Sequence, residues 1–343
     1  MKIIFISPHP NFGGASTANR NIAEMLGRLG HIVTYFDEYG PNSDSEYYSL
    51  DRFPLHQSRL KSRRTAEEYI KDLSPDIVFL GAPIIGLYYL FLLKQLREKG
   101  VRIISIIHSQ SLSEGLKARL DEFEQLCAAK FSTDMVFVSE YTKNYWMKYK
   151  GLAKKQIHVV YNAIKDQGVV NEVKENDQFK VIFVGRLSNE KNPYLFCEVA
   201  KKLNTINPQI KFELFGDGYL MDDIKKEYSE VVSLRGYVKD ANDIYGDSNV
   251  LLMTSQFENC PMAILEAASF GVPCVAPKVG GIPEIVNHKS TGFLFDKYSV
   301  DAIADGLMAV KDDYSSYSKS AKLQSLSFSM ETIEKQWESL LNK

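Results

Sequence analysis

Short runs of β-branched and aromatic residues recur along the whole chain without alternating with polar ones, and each is followed by an amphipathic stretch of helical period. Ile77-Val78-Phe79-Leu80 and Ile103-Ile104-Ser105-Ile106-Ile107 are the clearest. A strand with one wet face would alternate. A run that does not alternate belongs to a strand covered on both faces, as in a parallel sheet. Strand then helix, repeated, implies βαβ units and a doubly wound sheet. The pattern predicts strands near 2–7, 31–36, 76–81, 101–107, 134–138 and 157–161. Helices are predicted between them near 16–29, 63–73, 84–99, 114–130 and 140–149. After Lys165 the pattern lapses into Asp166-Gln167-Gly168 and polar residues up to Gln178. It restarts at Lys180-Val181-Ile182-Phe183-Val184, with strands near 210–215, 231–235, 249–253, 273–276 and 291–295 and a helical stretch over 299–341. The expected class is α/β: one doubly wound domain over 1–165, a linker over 166–178 and a second domain from 179.

Length agrees, since 343 residues at about 150 per domain suggest two domains. Each is long enough to bury its own core, so neither disulfides nor a structural metal is needed. An apolar share of 45% excludes low-complexity disorder. The longest strongly apolar run, Ile84 to Leu93, has ten residues, half of the roughly 20 that a membrane-spanning helix requires. It reads as a buried helix. The start, Met1 to Pro8, turns polar too early for a signal peptide and reads as a buried first strand. Cys127, Cys197, Cys260 and Cys274 form no C-x-x-C pair, which points to a reducing, cytoplasmic setting and away from a zinc site.

Net charge is −2 but uneven: residues 1–165 carry 22 Lys and Arg against 17 Asp and Glu, and residues 166–343 carry 19 against 26. No excess of the size a nucleic-acid binder needs is present. The basic first half suits an anionic membrane or acceptor. Arg59, Lys61, Arg63 and Arg64, close to Leu55 and Leu60, would dock at the inner face of a membrane; a solvated helix face is the alternative.

In open parallel sheets, ligands bind beyond the carboxyl ends of strands, where loops enter helices. One such loop is Val184-Gly185-Arg186-Leu187-Ser188-Asn189-Glu190-Lys191-Asn192-Pro193, with Asn192 expected as a helix cap. The forked donors of Arg186 and the mobile charge of Lys191 suit a diphosphate, although two solvated loop charges would look the same. A second runs from Ser255 to Glu266, where Pro261 opens a helix extending to Gly271. The N–H groups of Asn259, Cys260, Met262 and Ala263 are placed to receive phosphate oxygens, with Glu258 ahead of the helix and Glu266 within it. These carboxylates are either sugar ligands or ordinary loop and helix charges. Third comes Pro277-Lys278-Val279-Gly280-Gly281-Ile282-Pro283-Glu284, whose glycines permit close approach of backbone to a ligand or simply make a tight turn. In the first half, Gly13 and Gly14 follow the first strand and precede a helix, and His108 ends the strand at 103–107.

Absences narrow the chemistry. The chain has no G-x-G-x-x-G, no G-x-x-x-x-G-K-[ST], no G-x-S-x-G elbow and no D-x-D. A diphosphate would have to be neutralised by Arg186, Lys191 and helix ends, with no metal.

Together these segments resemble the family 4 glycosyltransferases. Gly185-Arg186 with Lys191 matches that family's G-R-x-x-x-x-K segment, and Glu258 with Glu266 its E-x7-E motif. Ser255, Pro261, Ala267, Gly271, Pro273, Gly280-Gly281-Ile282-Pro283-Glu284 and Thr291-Gly292 fit the surrounding pattern. Gly236-Tyr237-Val238 and Tyr161-Asn162 match softer marks. In the first half the likeness is thinner and rests on Gly13-Gly14 and His108. One departure is Asn259-Cys260, where the family usually has Gly-Phe after its first glutamate; asparagine tolerates the dihedrals a glycine would adopt.

The resemblance implies the GT-B fold, two Rossmann-like domains facing across a cleft, the second spanning 179–325, with residues 326–343 crossing back to the first. It implies a retaining, metal-independent transfer from a nucleoside-diphosphate sugar, UDP before GDP, to a glycan or lipid-linked acceptor in cell-surface polysaccharide synthesis. Arg186 and Lys191 would bind diphosphate, Glu258 the donor sugar, Glu266 the ribose hydroxyls and the backbone at Val238 the base. Gly13 or Gly14 would approach the phosphates, and His108 a sugar hydroxyl. Competing readings are a GT-B-like nucleotide-sugar epimerase and a non-catalytic nucleotide-sugar-binding partner subunit.

Overall fold

The non-alternating runs become parallel strands. In the computed structural model, residues 1–7, 13–37, 51–54, 67–68, 70–81, 89–109, 122–123, 126–149, 152, 155–167 and 178–343 are described. The basic cluster Arg59, Lys61, Arg63 and Arg64, most of the predicted linker, and the start of the Ile84–Leu93 run lie outside the described residues. By contacts the chain divides into Met1–Ala163 with Ile333–Lys343, and Ile164–Thr332.

The first unit holds β1 (Lys2–Ser7), β2 (Ile32–Asp37), β3 (Asp51–Pro54), β4 (Ile77–Leu80), β5 (Arg102–Ile107), β6 (Asp134–Phe137) and β7 (Gln156–Val159). They form one sheet in the order β3-β2-β1-β4-β5-β6-β7. Every pairing in it is parallel. β3 is absent from the strand pattern read in the sequence. Its four residues, Asp-Arg-Phe-Pro, lack an apolar run, and proline is tolerated because the strand is at an edge. Between the strands lie α1 (Gly14–Arg28), α2 (Leu90–Glu98) and α3 (Glu140–Trp146). Leu92, Leu93 and Leu96 of α2 are buried, which makes the described part of the long apolar run a core element.

The second unit holds β8 (Phe179–Val184), β9 (Ile210–Phe215), β10 (Ser233–Gly236), β11 (Val250–Leu252), β12 (Cys274–Pro277) and β13 (Gly292–Phe295). Their order is β10-β9-β8-β11-β12-β13, again all parallel. Its helices are α4 (Pro193–Ile206), α5 (Met221–Tyr228), α6 (Ala241–Tyr245), α7 (Met262–Ser269), α8 (Ile282–Ile285), α9 (Val300–Asp312) and α10 (Tyr314–Ser325). A core of Val181, Phe183, Phe196, Phe212, Leu252 and Ile303 fills the space between sheet and helices. No helix among the described residues is long and apolar enough to cross a membrane.

The last helix, α11 (Met330–Leu341), straddles the division, because Met330–Thr332 count with the second unit and Ile333–Lys343 with the first. Ile164 explains the second unit's early start. Its N–H donates to Phe328 O and its carbonyl accepts from Met330 N, tying 164 to the 328–330 turn. Trp337 explains the first unit's late end: it is buried and meets Phe79 edge-on at 5.6 Å. Arg102 adds donors to the carbonyls of Leu340 and Leu341 at 3.1 and 3.2 Å.

In each sheet the strand order reverses once, between β1 and β4 and between β8 and β11. At such a point neighbouring loops diverge to opposite faces and leave room beyond the strand ends. In the second unit the loops after β8 and β11 therefore define where a ligand is most readily held.

Candidate active site

The loop after β8 carries Arg186 and Lys191, and the loop after β11 carries Glu258. The fold thus puts the charged segments of the sequence on both sides of the second unit's reversal point. Lys191 Nζ donates to Glu258 Oε1 at 2.6 Å. Backbone contacts brace the two loops independently of that pair. Thr254 Oγ1 donates to the carbonyls of Lys191 (3.0 Å) and Asn192 (2.8 Å), and Gln256 N donates to Glu190 O at 2.8 Å. Asn192 is left-handed at φ 50° and its side chain does not cap α4, so its role is to turn the chain into Pro193.

Glu258 has only 10% of its side chain exposed, against 27% for Lys191. Two lysine protons remain beyond the one given to Glu258. Arg186 is exposed, and no carboxylate among the described residues pairs with it. The two cations sit differently, one clamped and one loose.

The glycine pair after β12 locks the Glu258 backbone. Gly281 N donates to Glu258 O at 3.0 Å, and Gly280 sits at φ +57° with its α-carbon against that same carbonyl. A Cβ on Gly280 would collide with the Glu258 carbonyl oxygen. Tyr298 Oη donates to Ser255 O at 2.8 Å. Burial, then the charge on Glu258, pushes the Tyr298 phenol above its ordinary range.

Asn259, Cys260, Pro261 and Met262 are all buried, and α7 starts at Met262. Its first N–H groups, on Met262 and Ala263, have no acceptor within the helix, and with the helix dipole they favour an anion. The helix is shorter than the sequence suggested, ending at Ser269 because the 270–272 segment turns back to pair Val272 N with Ala267 O. Glu266, one turn in, is half-buried and accepts from Tyr245 Oη at 3.0 Å. Burial raises the Glu266 carboxyl above the usual range, and the Tyr245 bond draws it back in part. Glu266 is therefore no solvated helix charge. Val238 lies two residues past β10 and is half-buried.

In the first unit, Gly13 stands at φ +134°, ψ 157° as the residue before α1, and Gly14 is the helix's first residue. Of the loop before them, residues 8–12 lie outside the described residues. His108 follows β5, and its Nε2 lies 2.7 Å from Asn19 Oδ1. Asn19, Tyr245 and Thr254 were not singled out in the sequence. A signal for Asn19 existed: it interrupts the buried stripe Ala18, Ile22, Ala23 and Leu26 of α1 with a polar side chain. Tyr245 and Thr254 gave none.

Arg186, Lys191, Glu258 and the α7 terminus offer cations, N–H donors and a carboxylate, chemistry suited to anions and hydroxyls. Among the described residues no group of three or more His, Cys, Asp or Glu could hold a metal ion.

Two family models match the chain almost end to end: Glycosyltransferase Family 4 over residues 12–167 and Glycosyl transferases group 1 over 165–324. The UDP-Gal:alpha-D-GlcNAc-diphosphoundecaprenol alpha-1,3-galactosyltransferase of Escherichia coli is 29% identical over 55% of this chain. The match spans 54% of that relative, about half its length. The amylovoran biosynthesis glycosyltransferase AmsD of Erwinia amylovora is 27% identical over 99% of each chain. Among solved structures, Anabaena Alr3699/HepE in complex with UDP and glucose superimposes with a TM-score of 0.82 over the full length of both chains, at 18% identity. Sucrose-phosphate synthase from Thermosynechococcus elongatus gives 0.82 at 17% identity, over 99% of this chain and 98% of that one. These neighbours share the GT-B fold.

Proposed function

The chain belongs to the family 4 glycosyltransferases, and from that premise we propose that it is a retaining enzyme using a nucleoside-diphosphate sugar, UDP-linked in preference to GDP-linked. The acceptor is a glycan or a lipid-linked sugar, in the synthesis of a surface polysaccharide. The observation carrying this reading is the 2.6 Å contact between Lys191 and Glu258 across the loops that flank the reversal point, beside the start of α7. UDP and the acceptor class draw on relatives: the E. coli enzyme is named for UDP-Gal and a diphosphoundecaprenol acceptor, and HepE holds UDP and glucose.

The chemical difficulty is departure of a diphosphate from an anomeric carbon that becomes positively charged. Lys191 directs its remaining protons to the leaving phosphate, Arg186 folds its guanidinium onto the same group, and the α7 N–H groups receive a further oxygen. Preorganised donors of this kind are usually the largest single term in catalysis. Glu258 has a second oxygen for a donor-sugar hydroxyl and a negative charge near the developing cation. As the C1–O bond to phosphate breaks, the acceptor oxygen forms its bond to C1 on the same face. The acceptor's proton goes to a leaving phosphate oxygen, so no separate base is required. Glu266 accepts from the ribose hydroxyls and backbone at Val238 meets the base; Gly13, Gly14 and His108 are further proposed donor contacts.

The test is calorimetry with a set of nucleotide sugars, followed by product analysis with glycan acceptors. Lys191→Ala is expected to weaken nucleoside-diphosphate binding. Glu258→Ala is expected to keep nucleotide binding and lose transfer, and wild-type activity to persist in EDTA. Normal turnover by both variants would end this assignment. Binding by the wild type without transfer or donor hydrolysis would mark a non-catalytic subunit instead.

A further inference from the structure

Four hydrogen bonds run head to tail across the carboxyl edge of the second unit's sheet. Tyr298, in the loop after β13, donates its hydroxyl hydrogen to Ser255 O at 2.8 Å. The peptide unit that accepts it donates in turn from Gln256 N to Glu190 O at 2.8 Å, and the next donates from Lys191 N to Ser188 O at 3.0 Å. The last bond runs from Asn189 N to Tyr219 Oη at 2.8 Å, in the loop after β9. Three peptide units, 255–256, 190–191 and 188–189, are thus each held at both oxygen and N–H. In such a run each accepted bond polarises the peptide and strengthens the bond it donates.

The two ends are tyrosines whose rings the core does not claim: Tyr219 is 66% exposed and Tyr298 39%. Their hydroxyls supply what the loops lack. Ser188 does not cap the 189–191 turn with its side chain, so the first N–H of that turn would otherwise be an orphan. Backbone contacts fix the Tyr219 loop in place. Leu187 N donates to Asp217 O at 2.9 Å and Leu220 N to Leu187 O at 3.3 Å, and a Cβ on Gly218 would come to 2.4 Å from that Leu187 oxygen. The Tyr298 ring meets Phe295 edge-on at 5.6 Å. The direction is fixed too, because a backbone N–H can only donate. The run must begin at a hydroxyl that keeps its proton, and burial with the charge on Glu258 keeps the Tyr298 phenol protonated.

Both members of the ion pair hang from this run. Lys191 provides one of its N–H groups, and Glu258 follows Gln256 closely in the same loop. We propose that Tyr219 and Tyr298 are positioning residues, the two ends of one hydrogen-bonded relay that holds Lys191 against Glu258 for the diphosphate and the donor sugar. The ligand half rests on the function proposed above; the relay does not, and the two are separable by experiment.

Tyr219→Phe and Tyr298→Phe, made in the full-length protein, each remove one hydroxyl and keep the ring. The first arm needs no substrate: amide hydrogen exchange in the free protein, read by ¹H–¹⁵N correlation. Exchange should rise roughly fivefold at the near end, Asn189 in Tyr219→Phe and Gln256 in Tyr298→Phe, the scale of one net hydrogen bond. At the far end, Gln256 in Tyr219→Phe and Asn189 in Tyr298→Phe, it should rise about twofold through the shared polarisation. Far-end rates equal to wild type overturn the relay.

The second arm is transfer. In each variant kcat/KM should fall about fivefold with the melting temperature unchanged. In a Lys191→Ala background Tyr219→Phe should cost less than about twofold, because coupled residues are non-additive. Equal losses in both backgrounds would mean that Tyr219 does not act through Lys191. Far-end exchange together with full transfer by both variants would keep the relay and refute its service to the site. A wild type that neither binds nucleotide nor transfers sugar would end the function proposed above, while the exchange arm still decides the relay.

Discussion

In each unit an ion pair with a mostly buried carboxylate joins neighbouring segments of the sheet, one pair at the carboxyl edge of its own sheet and the other at the amino edge of its own. In the second unit Lys191 and Glu258 meet beyond the carboxyl ends of β8 and β11. In the first, Arg102 and Asp134 are the first residues of β5 and β6, at the amino edge, joined by two bonds of 2.9 and 2.7 Å. His158 adds a third bond to Asp134 at 3.2 Å, and Thr133 a fourth at 2.6 Å. Each carboxylate oxygen of Asp134 thus accepts two internal bonds, and further donors of Arg102 go to the end of α11. Among the described residues, Lys191 keeps donors and Glu258 an oxygen in reserve. The same residue chemistry is spent on the scaffold at one edge and, in the function proposed above, serves the ligand at the other; the unspent valence tells them apart.

Gly280→Ala is the most severe test, because its methyl would strike the Glu258 carbonyl while leaving every charge in place. If loop position is what makes the carboxyl-edge pair functional, transfer falls by roughly 10²–10³, the effect of losing one preorganised group. Initial rates with donor and acceptor measure it. Near-normal rates would show that the loop is not held where the Gly280 contact puts it.

Asp134→Asn is the matching test at the amino edge, and it should cost stability, about 2–4 kcal/mol, by leaving Arg102 without its counter-charge. Transfer per folded molecule should stay near wild type, as read by denaturant melts alongside rates. The pair also has a pH signature. Burial raises the Asp134 carboxyl, but the bonds from Arg102 and Thr133, the Arg102 charge and the His158 bond together hold it below its ordinary 3.8. A carboxyl depressed in the folded state stabilises fully above its unfolded value and loses that contribution as pH falls through the folded one. Melting of the wild type should therefore decline below about pH 4 more steeply than that of Asp134→Asn. Parallel curves would mean the pair contributes nothing.

This division also governs what the sequence could disclose. Both sheets were legible because strands buried on two faces must be apolar without alternation, and the carboxyl-edge loops were legible because Arg186, Lys191, Glu258 and Glu266 are charged residues at strand ends. The amino-edge cluster was not. Asp134 looks like any polar residue opening a strand, and its partners lie 32 and 24 positions away at Arg102 and His158. β3 escaped because an edge strand needs no apolar signature. Tyr245 escaped because a tyrosine in a core and a tyrosine serving a carboxylate are written with the same letter.

Gly13 and Gly280 sharpen the contrast further. A Cβ on Gly13 meets nothing within 4 Å, so Gly13→Ala is opposed only by its dihedrals, φ +134° and ψ 157°. That strain is worth about 1–2 kcal/mol and falls on the loop entering α1. The expected result is a modest rise in KM for the nucleotide sugar with little change in melting temperature. A loss as deep as that of Gly280→Ala would mean the two glycines do the same work.

Tyr245→Phe is the smallest change and isolates one bond. The ring stays packed against Phe270, 5.6 Å between centroids, and only the hydroxyl that donates to Glu266 disappears. A net hydrogen bond of about 1 kcal/mol predicts roughly a fivefold loss of nucleoside-diphosphate affinity by calorimetry. If Glu266 serves the ribose, that loss should shrink for the 2′-deoxy nucleotide, which has one hydroxyl fewer to offer. Burial already lifts the Glu266 carboxyl, and the Tyr245 bond is what offsets it. Without that bond the carboxyl takes up its proton at higher pH, so affinity should fall further towards acid than in the wild type. Equal losses for both nucleotides at every pH would make the Tyr245–Glu266 contact a spent one, like Arg102–Asp134, and would move Glu266 from the binding edge to the scaffold.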